Sequence, residues 1–284
     1  MSNQSACDQE TSPPRIGYLG PPGSYSHLAA VLHFGDSADC IEHGNIEPVF
    51  VSVEEGLCEY GLAPYENSTG GSITDTLDAF HDHNVRACAE VLVEINHCLL
   101  SNAPTDRIVR VASRPQVLGQ CNRWLADHFP DAERVEMASS SLAVQSIADA
   151  EDSAAIGSVL AGTLYGVDVL HERIQDKSDN VTRFLVISRE DSPPVGRDKT
   201  TMSFITSHEP GALVDVLAVF RDAGINLSHI DKRPSRRENW QYKFYIDTES
   251  HRQNPSMQAA IEKARSHCID FNVLGSYPRA VQVL

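Results

Sequence analysis

No apolar run in this 284-residue chain approaches the roughly 20 residues needed to span a bilayer. The opening stretch, MSNQSACDQETSPPR, lacks the apolar segment of a secretory signal, and residues 1–14 are expected to form a disordered tail. Cysteines are few and scattered: of seven (Cys7, Cys40, Cys58, Cys88, Cys98, Cys121 and Cys268), none forms a C-x-x-C pair. That argues against a metal centre or a disulfide framework and fits a reducing, cytoplasmic setting. Basic residues are scarce across residues 1–199, which hold 30 acids and 13 bases, a balance of −17. Residues 200–284 hold 9 acids and 10 bases, so the acidity belongs to the larger part. Neither nucleic acid nor an anionic membrane is expected as its partner. A small anion would have to be met by a few placed arginines and helix N-termini. Internal repeats and low-complexity segments are also lacking.

What is present alternates strand and helix. IGYLG (16–20) reads as a strand, followed by a turn and a helix from Tyr25 to His33. Pro48–Val53 and Leu62–Pro64 read as further strands, and Ser72 opens a helix carrying Ile73, Leu77 and Phe80. Val91–Leu100 reads as one long strand. Ile108–Ala112 leads to a helix from Pro115 to His128, with Leu118, Cys121 and Leu125 on one face. Ala154–Ile156 and Phe184–Ile187 are later strands. This alternation predicts an α/β fold with mostly parallel sheets. SREDSPPVGRDK (188–199) is polar, with two prolines and a glycine, and marks a linker. Beyond it the order is strand 201–206, helix 211–223, strands 225–232 and 240–247, helix 255–267 and strand 271–277. That is the ferredoxin-like βαββαβ plan. In WQYKFYID the residues Trp240, Tyr242, Phe244 and Ile246 share one face, and Asn254–Pro255 is a good start for the second helix.

Four polar clusters stand out. In GYLGPPGSYSHLAA (17–30) a turn enters a helix beside Ser24 and Ser26, where free N–H groups favour an anion or a simple cap. Glu66, Asn67 and Ser68 follow a strand, at the carboxyl-end position where α/β proteins place ligands. Just beyond, Ser72 and Asp75 read as a capping box. In SRPQVLGQC (113–121), Ser113 is expected to cap a helix whose Gln116 and Gln120 share one face, opposite the apolar stripe. Ser139–Ser141 is a further hydroxyl-rich helix start, again read as a cap. In SDNVTRFLVI (178–187), Thr182 and Arg183 immediately precede an apolar strand. A buried arginine is costly unless an anion meets it.

These segments, in this order, resemble the prephenate dehydratase family: GYLGPxGxxSHxAA, ENS with a Gly-rich turn and TLD, S-x-PQ-L-QC, and N-x-TRF. PGALV (210–214) and GINL (224–227) resemble a regulatory ACT domain. The resemblance implies a catalytic domain over residues 15–188, built as two α/β lobes like a periplasmic binding protein with the active site in the cleft. A linker, 189–199, and an ACT domain, 200–279, follow. It implies decarboxylative dehydration of prephenate to phenylpyruvate without a cofactor, with arogenate as the alternative substrate and a non-enzymatic anion binder as the less favoured reading. By motif match Asn67, Ser113, Gln120, Thr182 and Arg183 are the expected catalytic residues, and Ser24, Ser26, Glu66 and Ser68 the expected substrate contacts. Arg183 suits a carboxylate. Thr182 is too weak an acid to act alone, so a protonated Glu66 or His27 is expected behind it. Phenylalanine is the expected effector, at Gly211, Ala212, Leu213, Asn226 and Asp231, in a homodimer or homotetramer joined through ACT domains. The chain departs from the family pattern at Pro22, Tyr65 and Arg114, the last expected to face solvent. It also reads Asp231-Lys232-Arg233-Pro234 where relatives carry Glu-Ser-Arg-Pro, which puts ordinary phenylalanine feedback in question. Lys232, Arg233, Arg236 and Arg237 read as a surface charge cluster. No helical stretch precedes Arg15, so the chorismate mutase domain fused to some relatives is expected to be absent.

Overall fold

A computed structural model describes residues 13–235 and 241–284. The expected tail therefore falls almost wholly outside the described residues, as do Arg236, Arg237 and Trp240. The first lobe comprises β1 (Arg15–Leu19), α1 (Tyr25–Phe34), β2 (Asp39–His43), α2 (Ile46–Glu54), β3 (Tyr60–Asn67), β4 (Gly71–Ser72), α3 (Thr74–Asp82) and β5 (Arg86–Glu94). The second comprises β6 (Cys98–Leu100), β7 (Arg110–Ser113), α4 (Pro115–Gln120), α5 (Asn122–His128), β8 (Glu133–Glu136), α6 (Ser140–Ser146), β9 (Ser153–Gly157), α7 (Val159–Tyr165) and β10 (Val169–His171). β11 (Val181–Ser188) returns to the first lobe. The C-terminal unit is β12 (Asp198–Thr206), α8 (Ala212–Asp222), β13 (Leu227–Pro234), β14 (Tyr242–Thr248), α9 (Pro255–Arg265) and β15 (Cys268–Pro278). No described helix is long and apolar enough to cross a membrane.

The first sheet runs β2-β1-β3-β11-β5, with β11 antiparallel to both neighbours. The second runs β10-β6-β9-β7-β8. Both sheets are mixed rather than mostly parallel, because β11 and β6 enter from chain crossings and not from βαβ units. The two crossings, residues 95–97 and 172–180, join the lobes and leave a cleft between them. The apolar run read as one strand over 91–100 is therefore two strands in different sheets, a break that an unbroken apolar pattern does not signal.

Residues 48–53 form part of a helix, not a strand. Ile46, Val49, Phe50 and Val53 have helical spacing and are all buried against the first sheet. Pro48 sits in the first turn, where its missing N–H costs nothing. The helix expected over 115–128 breaks at Cys121, whose backbone (φ −114°, ψ 14°) leaves the α region. Ser24, Ser139 and Asn254 cap their helices with side-chain oxygens. Ser72 does not cap: the residue before α3 is Ile73, and no side chain caps that helix.

The third sheet, β13-β14-β12-β15, has the ferredoxin-like order. Its β12 begins at Asp198, inside the stretch read as linker. One apolar face of β14, including Phe244 and Ile246, packs on α8 and α9. The opposite face, Lys243, Tyr245 and Asp247, packs on the first lobe. There Tyr245 Oη donates to the Leu77 carbonyl at 2.8 Å, and Tyr245, Leu274 and Tyr277 join the first-lobe hydrophobic cluster. Arg233 adds a two-pronged ion pair to Asp78 on α3, at 3.0 and 2.8 Å, so it is a docking residue rather than a surface charge. Lys232 lies over the Tyr242 ring at 4.5 Å.

Candidate active site

The cleft between the lobes encloses about 430 Å³. On its first-lobe wall Thr182 of β11 pairs in register with Asn67 of β3. Asn67 Nδ2 donates to Asn180 Oδ1 at 2.7 Å and to Thr182 Oγ1 at 2.9 Å. Asn67 Oδ1 accepts from Thr69 N, Thr69 Oγ1 and Gly70 N at 3.0, 2.7 and 2.8 Å. Every polar atom of the amide is engaged, so its orientation is fixed. Thr182 Oγ1 therefore accepts from within the wall, which leaves its own proton to be donated into the cleft.

From the second lobe Gln116, Gln120, Ser139, Ser140 and Ser141 face this wall, and Ser24 and Ser26 close one end. Ser24 is occupied as the α1 cap, donating to the Leu19 carbonyl at 3.1 Å and accepting from His27 N at 3.2 Å. Gln120 Oε1 lies 2.8 Å from His97 Nε2, and His97 Nδ1 lies 2.8 Å from Tyr25 Oη. Burial pushes the His97 imidazole below its ordinary pKa, with the Gln120 bond acting against it. Among the described residues Arg114 is the one lysine or arginine lining the cleft; it faces ligand space and not only bulk solvent.

Four of the expected residues, Ser113, Ser68, Glu66 and Arg183, lie elsewhere. Ser113 is fully buried beneath the cleft floor, donating to the Ile156 carbonyl at 2.8 Å and lying 3.1 Å from Ser140 Oγ; it caps no helix. Ser68 Oγ donates to the Asp179 carbonyl and accepts from Val181 N, tying the β3 end to the returning chain. Glu66 points away from the cleft, 3.5 Å from His229 and 3.6 Å from Arg183; the hydrogen bond from His229 holds its carboxyl below the usual range. Glu66 is thus ionised and cannot act as the proton source expected behind Thr182. His27 does not line the cleft: it stacks on Tyr18 at 4.7 Å and accepts from Gly23 N, and burial lowers its pKa.

Arg183 requires the largest correction. Adjacent strand residues face opposite sides of a sheet, so with Thr182 in the cleft Arg183 turns toward the C-terminal domain. Its Nε donates to Glu90 Oε2 at 2.7 Å, Nη1 to Asp247 Oδ2 at 2.5 Å and Nη2 to Tyr277 Oη at 2.8 Å. Lys199 Nζ shares Glu90 at 2.9 Å, and Thr201 donates to Asp247 Oδ1 at 2.7 Å. Burial opposes the guanidinium charge, yet Tyr277, Asp247 and Glu90 hold its pKa well above the ordinary value. The anion that Arg183 needs is supplied by the protein, not by a ligand.

The C-terminal domain carries its own hollow, about 420 Å³, lined by Gly211, Ala212, Leu213, Tyr242 and Phe244 among others. Asn226 donates to Glu249 at 3.1 Å, and Asp231 accepts from Lys232 N; neither lines this hollow within one chain. Among the described residues no group of three or more His, Cys, Asp or Glu side chains is gathered for a metal ion.

The prephenate dehydratase family model matches residues 16–192, and the ACT domain model residues 200–266. The chain belongs to the prephenate dehydratase family. A bifunctional chorismate mutase/prephenate dehydratase of Pseudomonas aeruginosa is 40% identical over 279 residues, covering 98% of this chain and 76% of that protein. A prephenate dehydratase from Arthrobacter aurescens, solved in complex with L-Phe, superposes with a TM-score of 0.86 at 31% identity, over 94% of this chain and 90% of that one. A structure described as a novel type of quorum quenching acylase also superposes at 0.86, over 94% of this chain and 98% of that one; at 23% identity it shows the fold alone.

Against the family motifs, the cleft holds polar residues that sequence reading missed, among them Tyr25, His97, Ser158 and Asn180. Asn180 lies within the N-x-TRF motif itself. His97 left a signal that went unused, an ionisable residue directly before the apolar run CLL (98–100).

Proposed function

We propose that this chain converts prephenate to phenylpyruvate, with Thr182 as the donor to the departing hydroxyl and phenylalanine as effector at the ACT domain. In this reaction the bond from the ring to its carboxylate breaks and releases carbon dioxide. The electron pair enters the ring as the C–O bond opposite breaks, and hydroxide leaves as water after taking up a proton. Aromatisation supplies the drive, so the enzyme's task is to orient a dianion and stabilise the leaving oxygen. The observation that carries the reading is the Asn67–Thr182 pair, in which a fixed amide donates to Thr182 Oγ1 and so leaves the hydroxyl proton free for a ligand in the cleft. Threonine is too weak an acid to release that proton unaided, so it acts as a hydrogen-bond donor or relay. Arg114 supplies the carboxylate contact, and Gln120 and Gln116 the uncharged ones. Ser113 and Ser68 support the walls.

The L-Phe complex of the Arthrobacter relative, and the hollow at Gly211–Leu213, support phenylalanine as the effector. Asn226 and Asp231 then complete the effector site across a contact between two ACT domains. The half-exposed Ile230 on the edge strand β13 and the exposed Val214 on α8 support such a homo-oligomer.

Purified protein given prephenate is expected to release phenylpyruvate, faster than it turns over arogenate in parallel. Thr182→Ala is expected to lower kcat by about 100-fold or more, as for loss of one donor to a developing oxyanion. A near-unchanged rate in that variant overturns the assignment of Thr182. Phenylalanine, with tyrosine as control, is expected to change the rate.

A further inference from the structure

Three short contacts form a chain through one imidazole at the crossing between the lobes. Tyr25 Oη lies 2.7 Å from the Asn96 carbonyl oxygen and 2.8 Å from His97 Nδ1, and His97 Nε2 lies 2.8 Å from Gln120 Oε1. Each contact needs one proton. The two carbonyl oxygens bring none and the phenol brings one, so the ring must bring two. A neutral ring brings only one. It satisfies all three contacts only if the Gln120 amide turns over, its N–H2 donating to Nε2 and its carbonyl facing the cleft. The charge on His97 and the face shown by Gln120 are thus one variable.

We propose that His97 is a positioning residue for the dehydration: as imidazolium it holds the Gln120 carbonyl, and so turns the Gln120 amide N–H2 toward the anionic substrate. The proposal rests on the reading of the cleft as a prephenate site. His97 is 1% exposed, and burial disfavours its charged form. Among the described residues no carboxylate is in contact with the ring to compensate. Tyr25 reaches it from α1, Gln120 from α4 and Gln175 from the returning crossing, where Gln175 Oε1 accepts from His97 N at 3.0 Å. Cys98 on β6 and Cys121 after α4 are the nearby thiols, and the charged groups lining the same cleft are Arg114 and Asp75. A dianion in the cleft supplies the missing counter-charge and draws the proton onto the ring. In the empty cleft the neutral ring leaves an acceptor facing outward; in the complex the charged ring presents a donor.

The consequence is read in KM. The carboxylates of prephenate are ionised throughout the neutral range. Even so, KM is expected to rise with pH across the neutral range, starting from below the ordinary imidazole value of about 6.5 and approaching about tenfold per unit as one proton is withheld. In His97→Gln the side-chain amide donates to the Gln120 carbonyl at every pH, so KM is expected to stay near its low-pH value and not to rise. Gln120→Leu is expected to bind poorly but equally so at every pH. A flat KM in the unsubstituted protein overturns the proposal without any variant. A rise retained in Gln120→Leu, or in His97→Gln with unchanged circular dichroism, overturns it as well. Failure to turn over prephenate at any pH refutes the proposed function instead.

Discussion

Thr182 and Arg183 are neighbours in a motif and opposites in the structure. Strand geometry sends one side chain into the cleft and the other into a buried cluster with Glu90, Asp247 and Tyr277. The need of Arg183 for an anion was legible in the sequence; which anion was not, because Glu90 and Asp247 lie 93 and 64 positions away. Breaking a buried pair leaves a charge without its partner and typically costs about 3 kcal/mol. Arg183→Met is therefore expected to lower the thermal midpoint markedly while the folded protein keeps its KM for prephenate. A large rise in KM at unchanged stability would return Arg183 to the substrate.

At the scale of elements, β11 organises the molecule. It lies between β3 and β5, it carries Thr182 on one face, and it presents Arg183 to β14 and β15 on the other. β15 approaches β5 so closely that a methyl group on Gly275 would lie 2.2 Å from the Ala87 carbonyl oxygen. Backbone cannot give way as a side-chain tip can. Gly275→Ala is expected to destabilise by about 2 kcal/mol, the order of overpacking a tight contact, as measured by the denaturant midpoint with and without phenylalanine. A neutral result would mean that the two domains part readily. Elements whose period was unambiguous, such as α1 and α9, were readable locally. α2 was not, because its β-branched residues favour a strand while their spacing and burial make a helix.

For the whole molecule, the regulatory domain is not a tethered appendage. It shares a hydrophobic cluster with the first lobe, and ion pairs cross the boundary at Arg183–Asp247, Lys199–Glu90 and Arg233–Asp78. Burial pushes Asp247 upward, but Arg183 and His229 beside it hold its carboxyl below the usual value. A depressed carboxylate contributes stability that is complete above its ordinary pKa and is lost as pH falls through its lower folded value. The domain contact is therefore expected to loosen in acid, below about pH 4. Asp247→Asn is expected to be less stable at neutral pH and less sensitive to acid, as followed by thermal midpoints from neutral pH downward.

The sequence by itself determined the family, the two-lobed α/β plan, the βαββαβ regulatory domain and the identity of Thr182, Asn67 and Gln120 as cleft residues. These depend on local patterns: ordered motifs, periodicity and turn chemistry. Only the tertiary structure decided that Arg183 and Glu66 join the domain contact, that Ser113 lies under the floor, and that His97 and Tyr25 stand behind Gln120. Those assignments depend on which face of a strand meets which neighbour. That is settled by pairing between segments far apart in the chain, where one residue along a strand exchanges ligand space for protein interior.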